Sequence, residues 1–166
     1  MKDIYNYIDE NIEEYVSDLQ ELIRKPSVSA QNIGLQDCAE FVKSQMHKDG
    51  LPAELHEIPG GPPLVFGHLK SSLSKKTLFC YSHYDVQPPE PIEKWSHGGP
   101  WSGALVDNII YGRGATDNKG GLLAFNKAAK AFLKVRGEVH LNLKFFFEGE
   151  EEIGSVHLGP WVEKNK

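Results

Sequence analysis

The chain has 166 residues, of which 40% are hydrophobic and 25% charged, and its formal net charge is −5 at pH 7. This length and composition predict one globular domain with a hydrophobic core. The negative net charge argues against a nucleic-acid partner, which requires a basic face. No apolar run approaches the roughly 20 residues of a membrane span, and the acidic, amphipathic N-terminus is unlike a signal or transit peptide. We therefore expect a cytoplasmic protein that binds neither nucleic acid nor membrane.

The predicted elements alternate between helices and strands along the chain. Apolar residues at three- and four-residue steps, period-two alternation and Gly/Pro turns define their limits. In chain order they are a helix at 3–24, a helix at 35–50, strands at 53–58, 63–70 and 76–83, an irregular loop to about 107, a strand at 108–112, a helix at 118–136, a strand at 139–147 and a short helix at 155–164. This order predicts an α/β fold with a mixed sheet. The only cysteines, Cys38 and Cys80, lie outside any CxxC pair, so buried free thiols are expected.

The stretch YGRGATDNKGG at 111–121 places Asp117 in a glycine-rich turn that leads into a helix. Taken alone, Asp117 is interpreted as an N-capping residue. Two other clusters change that interpretation, because His83 with Asp85 and the run Glu150–Glu152 also follow predicted strands. Ligand sites of open α/β sheets lie at the carboxyl ends of strands, so these residues are expected to converge.

A histidine and several carboxylates at one sheet edge suit a divalent cation, above all zinc. A bound cation would also relieve the repulsion among three adjacent glutamates. The alternative is a solvated acidic turn at 148–155. Asp85 is interpreted either as a carboxylate that orients His83 or tunes the neighbouring base, or as a turn-forming residue before the proline-rich loop.

SHYDVQP at 82–88, the loop with Trp95, YGRGATDNKGG at 111–121 and EGEEEIGS at 148–155 together resemble the M-twenty metallopeptidases in order and spacing. These enzymes are co-catalytic zinc amidohydrolases that include dipeptidases and N-acyl-amino-acid deacylases. The HYDVQP motif is most similar to that of the dipeptidase branch. The resemblance implies a three-layer zinc-peptidase-like catalytic domain with helices flanking a mixed central sheet. Residues 1–166 would form its N-terminal portion.

The resemblance also implies a role for each motif residue. His83 would bind one metal ion, Asp117 would bridge two, and Glu152 would bind the second. Glu151 would be the general base and Asp85 the carboxylate that supports it, while Glu150 receives no role. The cofactors would be two divalent ions, zinc by preference, with manganese or cobalt as alternatives. A cis peptide bond after Asp117 is implied as well.

The family's catalytic domain is longer than this chain. Two later metal ligands, an aspartate and a histidine, have no counterpart here, and neither does the lid domain that binds the substrate carboxylate and forms the homodimer. We therefore expect a truncated domain that is inactive by itself, from a parent metallodipeptidase. The alternatives are an N-acyl-amino-acid deacylase of the acetylornithine or succinyl-diaminopimelate type and, from another class, a non-catalytic α/β interaction module.

Overall fold

The computed structural model describes residues 1–165, in which helices and strands alternate. The helices are α1 (Lys2–Glu10), α2 (Ile12–Ile23), α3 (Leu35–Lys48), α4 (Gly120–Arg136) and α5 (Leu158–Lys164). The strands are β1 (Glu54–His56), β2 (Leu64–Leu69), β3 (Thr77–His83), β4 (Ala104–Val106), β5 (Ile109–Tyr111) and β6 (Asn142–Glu148). None of the described helices is long and apolar enough to cross a membrane.

The main sheet has the strand order β1-β2-β6-β3. β1 and β2 are antiparallel, β2 and β6 are antiparallel, and β6 and β3 are parallel. The last strand along the chain therefore lies between two earlier ones. The predicted α/β fold with a mixed sheet is confirmed.

The alternating side chains of β6 divide the core between the two faces of the sheet. Phe145 and Phe147 are fully buried in the larger cluster, together with residues of α2, α3 and α4. Phe146 points to the other face, where it packs near Leu158 and Trp161 of α5. Helices thus lie on both faces of the sheet, and the larger layer holds most of the core. On the other face α5 leaves Phe79 and Tyr81 of β3 55% and 43% exposed.

The N-terminal segment is two helices, so the prediction of one continuous helix over 3–24 is wrong. The break is at Asn11, whose side-chain amide donates to the carbonyl oxygen of Tyr7 at 2.7 Å. Asparagine side chains compete in this way with helical backbone hydrogen bonds. Ile12, directly after the break, is 51% exposed.

The strand predicted at 108–112 exists as β5, but it does not join the main sheet. It pairs with β4, inside the stretch predicted to be irregular, and forms a separate hairpin. Asp107 and Asn108 in the connecting turn both have positive φ, 50° and 62°. Two left-handed residues between strands are typical of a tight hairpin turn. The sequence analysis expected Asp117 to follow a strand of the main sheet. It follows β5 of the separate hairpin instead.

The remaining differences are at element ends. The helix predicted at 118–136 begins at Gly120, the strand predicted at 139–147 is shifted to Asn142–Glu148, and the helix predicted at 155–164 begins at Leu158. Cys38 and Cys80 are both buried and free, as predicted.

Candidate metal centre

The parallel pair β3 and β6 brings two of the three predicted clusters to one edge of the sheet. His83 at the end of β3 lies opposite Glu148 at the end of β6. Both strands end here, so the segments 84–87 and 149–152 leave the sheet side by side. The Tyr84 amide donates to the Glu148 carbonyl at 2.8 Å, and a Cβ added at Gly149 would collide with the Tyr84 ring. Glycine at 149 thus permits this close approach.

Asp117 reaches the same edge from the turn Ala115–Lys119, directly before α4. The peptide bond between Asp117 and Asn118 is cis, as the family resemblance implies. The Asp117 side chain is 75% exposed, and its Oδ1 lies 3.1 Å from Nε2 of His83.

His83, Asp117 and Glu152 offer ligand atoms that all lie within 4.8 Å of one another. The predicted convergence of these three residues is therefore confirmed. Ligands at zinc distances of about 2.0–2.1 Å in a tetrahedral arrangement are separated by about 3.3 Å. The 3.1 Å between His83 Nε2 and Asp117 Oδ1 fits this spacing.

His83 is oriented by Asp85. The Nδ1–H of His83 donates to the main-chain carbonyl of Asp85 at 3.1 Å, and Nδ1 lies 3.3 Å from the Asp85 carboxylate. Nε2 is thereby directed toward Asp117 as the available ligand atom. Burial lowers the pKa of His83, but the hydrogen bonds and charge of Asp85, helped by Glu151, outweigh burial and raise this pKa to about 9.

The same carboxylate of Asp85 fixes the segment that carries the glutamates. Its two oxygens accept the backbone N–H of Glu151 at 3.2 Å and that of Glu152 at 3.1 Å. Asp85 is fully buried, so these hydrogen bonds form away from solvent. One side chain therefore positions both the imidazole and the turn after β6.

The site carries excess negative charge. The Glu151 side chain is 44% exposed, and its Oε2 lies 3.8 Å from Nε2 of His83. Within residues 1–165, no lysine or arginine forms an ion pair with Asp117, Glu151 or Glu152. One histidine thus faces several carboxylates, an arrangement that a divalent cation would neutralise.

A second acidic cluster, Glu14, Asp18 and Asp49, also has the spacing of metal ligands, but lysines occupy it. Lys127 forms ion pairs with Asp18 and Asp49, Lys130 with Glu14 and Asp49, and Lys48 with Asp18. This cluster joins α2, the end of α3 and α4, and we call it the interhelical ion network. Its charges are already paired, unlike those at the sheet edge.

Sequence reasoning missed two residues that support the site. The Gln87 amide donates to the Glu152 carboxylate at 2.8 Å and to the Glu152 carbonyl at 3.1 Å. Lys119 is fully buried behind Asp117. Gln87 belongs to the HYDVQP motif, but nothing in the sequence indicated its hydrogen bonds to Glu152. The sequence around Lys119 is a glycine-rich turn, which does not predict that the lysine is buried.

Helices flank the mixed sheet, and a histidine and several carboxylates gather where its neighbouring parallel strands end. This arrangement defines a candidate metal centre at the edge of an α/β sheet. The family model described as Peptidase family M20/M25/M40 matches residues 79–164, which include all these residues. The chain belongs to this family.

Individual relatives extend the similarity across nearly the whole chain. The Beta-Ala-His dipeptidase of Homo sapiens is 34% identical, over 100% of this chain and 36% of its own length. A succinyl-diaminopimelate desuccinylase of Methylorubrum extorquens is 33% identical, over 87% of this chain and 38% of its own. The solved M20 family metallo-carboxypeptidase Sso-CP2 of Sulfolobus solfataricus is 40% identical with a TM-score of 0.83, over 92% of this chain and 34% of its own. The chain thus spans about one third of the length of these relatives.

Proposed function

We propose that this chain forms part of a dinuclear metal-dependent hydrolase that cleaves the amide bond of dipeptides or short peptides. The convergence of His83, Asp117 and Glu152 at one sheet edge carries the proposal. The dipeptidase name of a relative that aligns with the entire chain supports the substrate class. The chain covers 36% of that relative, so activity and substrate are proposed for the longer protein.

In this proposal His83 would hold one metal ion, Glu152 would hold a second, and Asp117 would be a ligand of both. The exposed position of Asp117 leaves its carboxylate free to bind on both sides. Zinc is the preferred ion because the set mixes an imidazole with carboxylates, whereas an all-oxygen set would favour harder ions. When bound, such ions polarise a carbonyl and lower the pKa of water.

Glu151 is proposed as the general base. Its half-exposed carboxylate lies next to His83 and accepts a proton from the attacking water, then delivers it to the leaving amine. Asp85 supports this step as a positioning residue, because it accepts the backbone N–H of Glu151 and holds the turn in place. The same turn keeps Glu152 beside Asp117.

Metal binding by the longer protein tests the proposal. Zinc titration by chelator competition should detect a site, and Asp117→Asn should weaken binding by tenfold or more because the bridging carboxylate is lost. Glu21→Gln, which removes an exposed carboxylate on α2, serves as the control and should leave affinity unchanged. Absence of zinc binding, or equal affinity in Asp117→Asn, would contradict the metal centre.

Two other functions remain distinguishable by experiment. The similarity to a succinyl-diaminopimelate desuccinylase supports an N-acyl-amino-acid deacylase. Assay of the longer protein on matched dipeptides and N-acyl amino acids separates these two enzymes by the preferred substrate. A non-catalytic α/β interaction module has no requirement for zinc at Asp117, so the titration excludes or supports it.

Several expectations stay predictions. They are the assignment of residues 1–166 as the N-terminal portion of a catalytic domain, dimerisation of the parent through a lid domain, the cytoplasmic location and the absence of nucleic-acid partners. Size-exclusion chromatography of the longer protein tests the dimer, and cell fractionation tests the cytoplasmic location.

A further inference from the structure

Lys119 is a fully buried lysine two residues after Asp117. Placing an ammonium group away from water costs several kcal/mol unless polar groups compensate. Within residues 1–165, no carboxylate forms an ion pair with the Lys119 ammonium. Its environment must therefore stabilise the charge in another way.

The compensating groups lie at the C-terminal end of α2. The Lys119 ammonium donates to the main-chain carbonyl oxygens of Leu22, at 3.1 Å, and Lys25. Carbonyls at a helix C-terminus carry partial negative charge and favour a cation. The Trp101 ring adds a weaker contact, with its centroid 6.0 Å from the ammonium nitrogen.

The backbone around Lys119 is packed just as tightly as its side chain. The Lys119 amide donates to the carbonyl of Gly114 at 3.0 Å, which closes the turn that contains Asp117. Gly114 has a φ of 83°, and a Cβ there would lie 2.6 Å from Val86 and 3.2 Å from the Lys119 stem. The turn thus has one buried anchor, Lys119, and one exposed ligand, Asp117.

Asp117 itself has little to hold it. Its carboxylate contacts His83, while three quarters of its side chain faces solvent. Its location depends on the backbone, and the backbone is tied to α2 through Lys119. We propose that Lys119 is a positioning residue, which sets the place of Asp117 as the bridging metal ligand by fastening the turn to the end of α2. This inference rests on the proposed metal centre.

The test compares zinc affinity with stability in the longer protein. Lys119→Met keeps the aliphatic stem but removes the charge and the donors, and it should weaken zinc binding roughly 10- to 100-fold, as expected when a residue that orients a ligand is lost. Lys119→Arg keeps a cation and several donors, so it should restore much of this affinity. Lys134→Met, an exposed lysine on α4, is the matched control and should bind zinc normally.

The outcomes separate the inference from the proposed function. If the wild-type longer protein binds no zinc, the metal centre fails and the inference falls with it. If the wild type binds zinc and Lys119→Met binds equally well, the inference alone is overturned, even when the variant is less stable. An Arg variant as weak as the Met variant would also overturn the donor argument.

A measurement on the wild type decides the case if Lys119→Met does not fold. The inference requires the amides of 119–121 to exchange with deuterium at least tenfold more slowly than those of the exposed loop at 96–98. Equal exchange rates would show that the turn is not anchored and would overturn the inference.

Discussion

Glu151 and Glu152 are neighbours in the sequence but differ in their surroundings. Glu152 is held through its carboxylate by Gln87, whereas the Glu151 carboxylate is half-exposed and lies beside His83. Both backbone amides bind the same buried carboxylate of Asp85. The Glu152 side chain is therefore held by a hydrogen bond, which suits a metal ligand. The Glu151 side chain is more exposed, which suits a group that carries a proton.

This difference predicts separable effects in the longer protein. Glu151→Gln should retain metal but lose turnover by a factor of about 10²–10⁴, because an amide cannot accept a proton. Glu152→Ala should instead lower metal content, since a ligand is removed. Metal analysis of the dialysed variants, together with kcat and KM on a dipeptide, measures both effects. Near-normal turnover in Glu151→Gln would contradict its role as general base.

His83 gives the metal-free chain a pH-dependent stability. Its pKa is about 9 in the folded chain, against 6.5 for an unperturbed histidine. A raised pKa means that the charged imidazole stabilises the fold fully below pH 6.5, and that this contribution disappears as pH rises to 9. We expect the free energy of unfolding to fall by roughly 1–3 kcal/mol across that window.

Urea unfolding at pH 6.5, 7.5 and 9 with a chelator present measures this loss. His83→Asn removes the titrating group and should flatten the profile over the same range. If the profiles of the variant and the wild type had the same slope, the ion pair between His83 and Asp85 would not be the cause.

At the scale of elements, the interhelical ion network holds three helices together beneath the sheet. Lys127 lies between Asp18 of α2 and Asp49 after α3, and all three side chains are buried. Removing Lys127 leaves Asp18 with Lys48 and Asp49 with Lys130, so one buried negative charge of the network is no longer compensated. Lys127→Met should therefore destabilise the chain by about 3–5 kcal/mol.

Chemical denaturation of Lys127→Met beside Lys134→Met checks this prediction. Lys134 is on the same helix but exposed, and its substitution should change the free energy of unfolding by no more than about 0.5 kcal/mol. A loss below 1 kcal/mol in Lys127→Met would mean that the network contributes little.

The elements and the proposed metal-site residues were predicted from local signals. Alternation along β6, the Pro and Gly limits and the clusters after β3 and β6 are short-range features, and they predicted both the mixed sheet and the convergence of His83 with Glu152. The break at Asn11 was not predictable, because it depends on one side-chain hydrogen bond within an otherwise good helical pattern.

The second feature that the sequence did not predict is which elements pack against each other. The pattern of β5 is that of a strand, but nothing local determines whether it pairs with the sheet or with β4. Similarly, the burial of Lys119 results from the approach of α2, some 94 residues earlier in the chain. Such contacts are set by tertiary packing rather than by the residues on either side.

At the scale of the whole molecule, the described residues supply few ligands for two metal ions. His83, Asp117 and Glu152 would give each ion the shared aspartate and one further ligand. Catalytic zinc sites usually have three protein ligands and one open position. We expect the 166-residue chain alone to hydrolyse dipeptides more than tenfold slower than the longer protein.

Parallel assays with excess zinc or manganese over a dipeptide panel measure that ratio. The Glu151→Gln variant of the longer protein provides the background rate. Turnover of the chain within tenfold of the longer protein would refute the argument from ligand number.

The central position of β6 also has a consequence for synthesis of the protein. β6 lies between β2 and β3, so the sheet cannot close until residues 142–148 have been translated. The 59 residues from His83 to Asn142 take about 3–12 s at 5–20 residues per second. During that interval β2 and β3 lack the strand that lies between them and are accessible to chaperones, and the Glu152 that lies near His83 in the folded chain has not yet been made.

Limited proteolysis of ribosome-bound chains of increasing length should show protection appearing abruptly once residue 148 has left the ribosomal exit tunnel. Gradual protection from residue 83 onward would mean that the half-sheet is stable by itself.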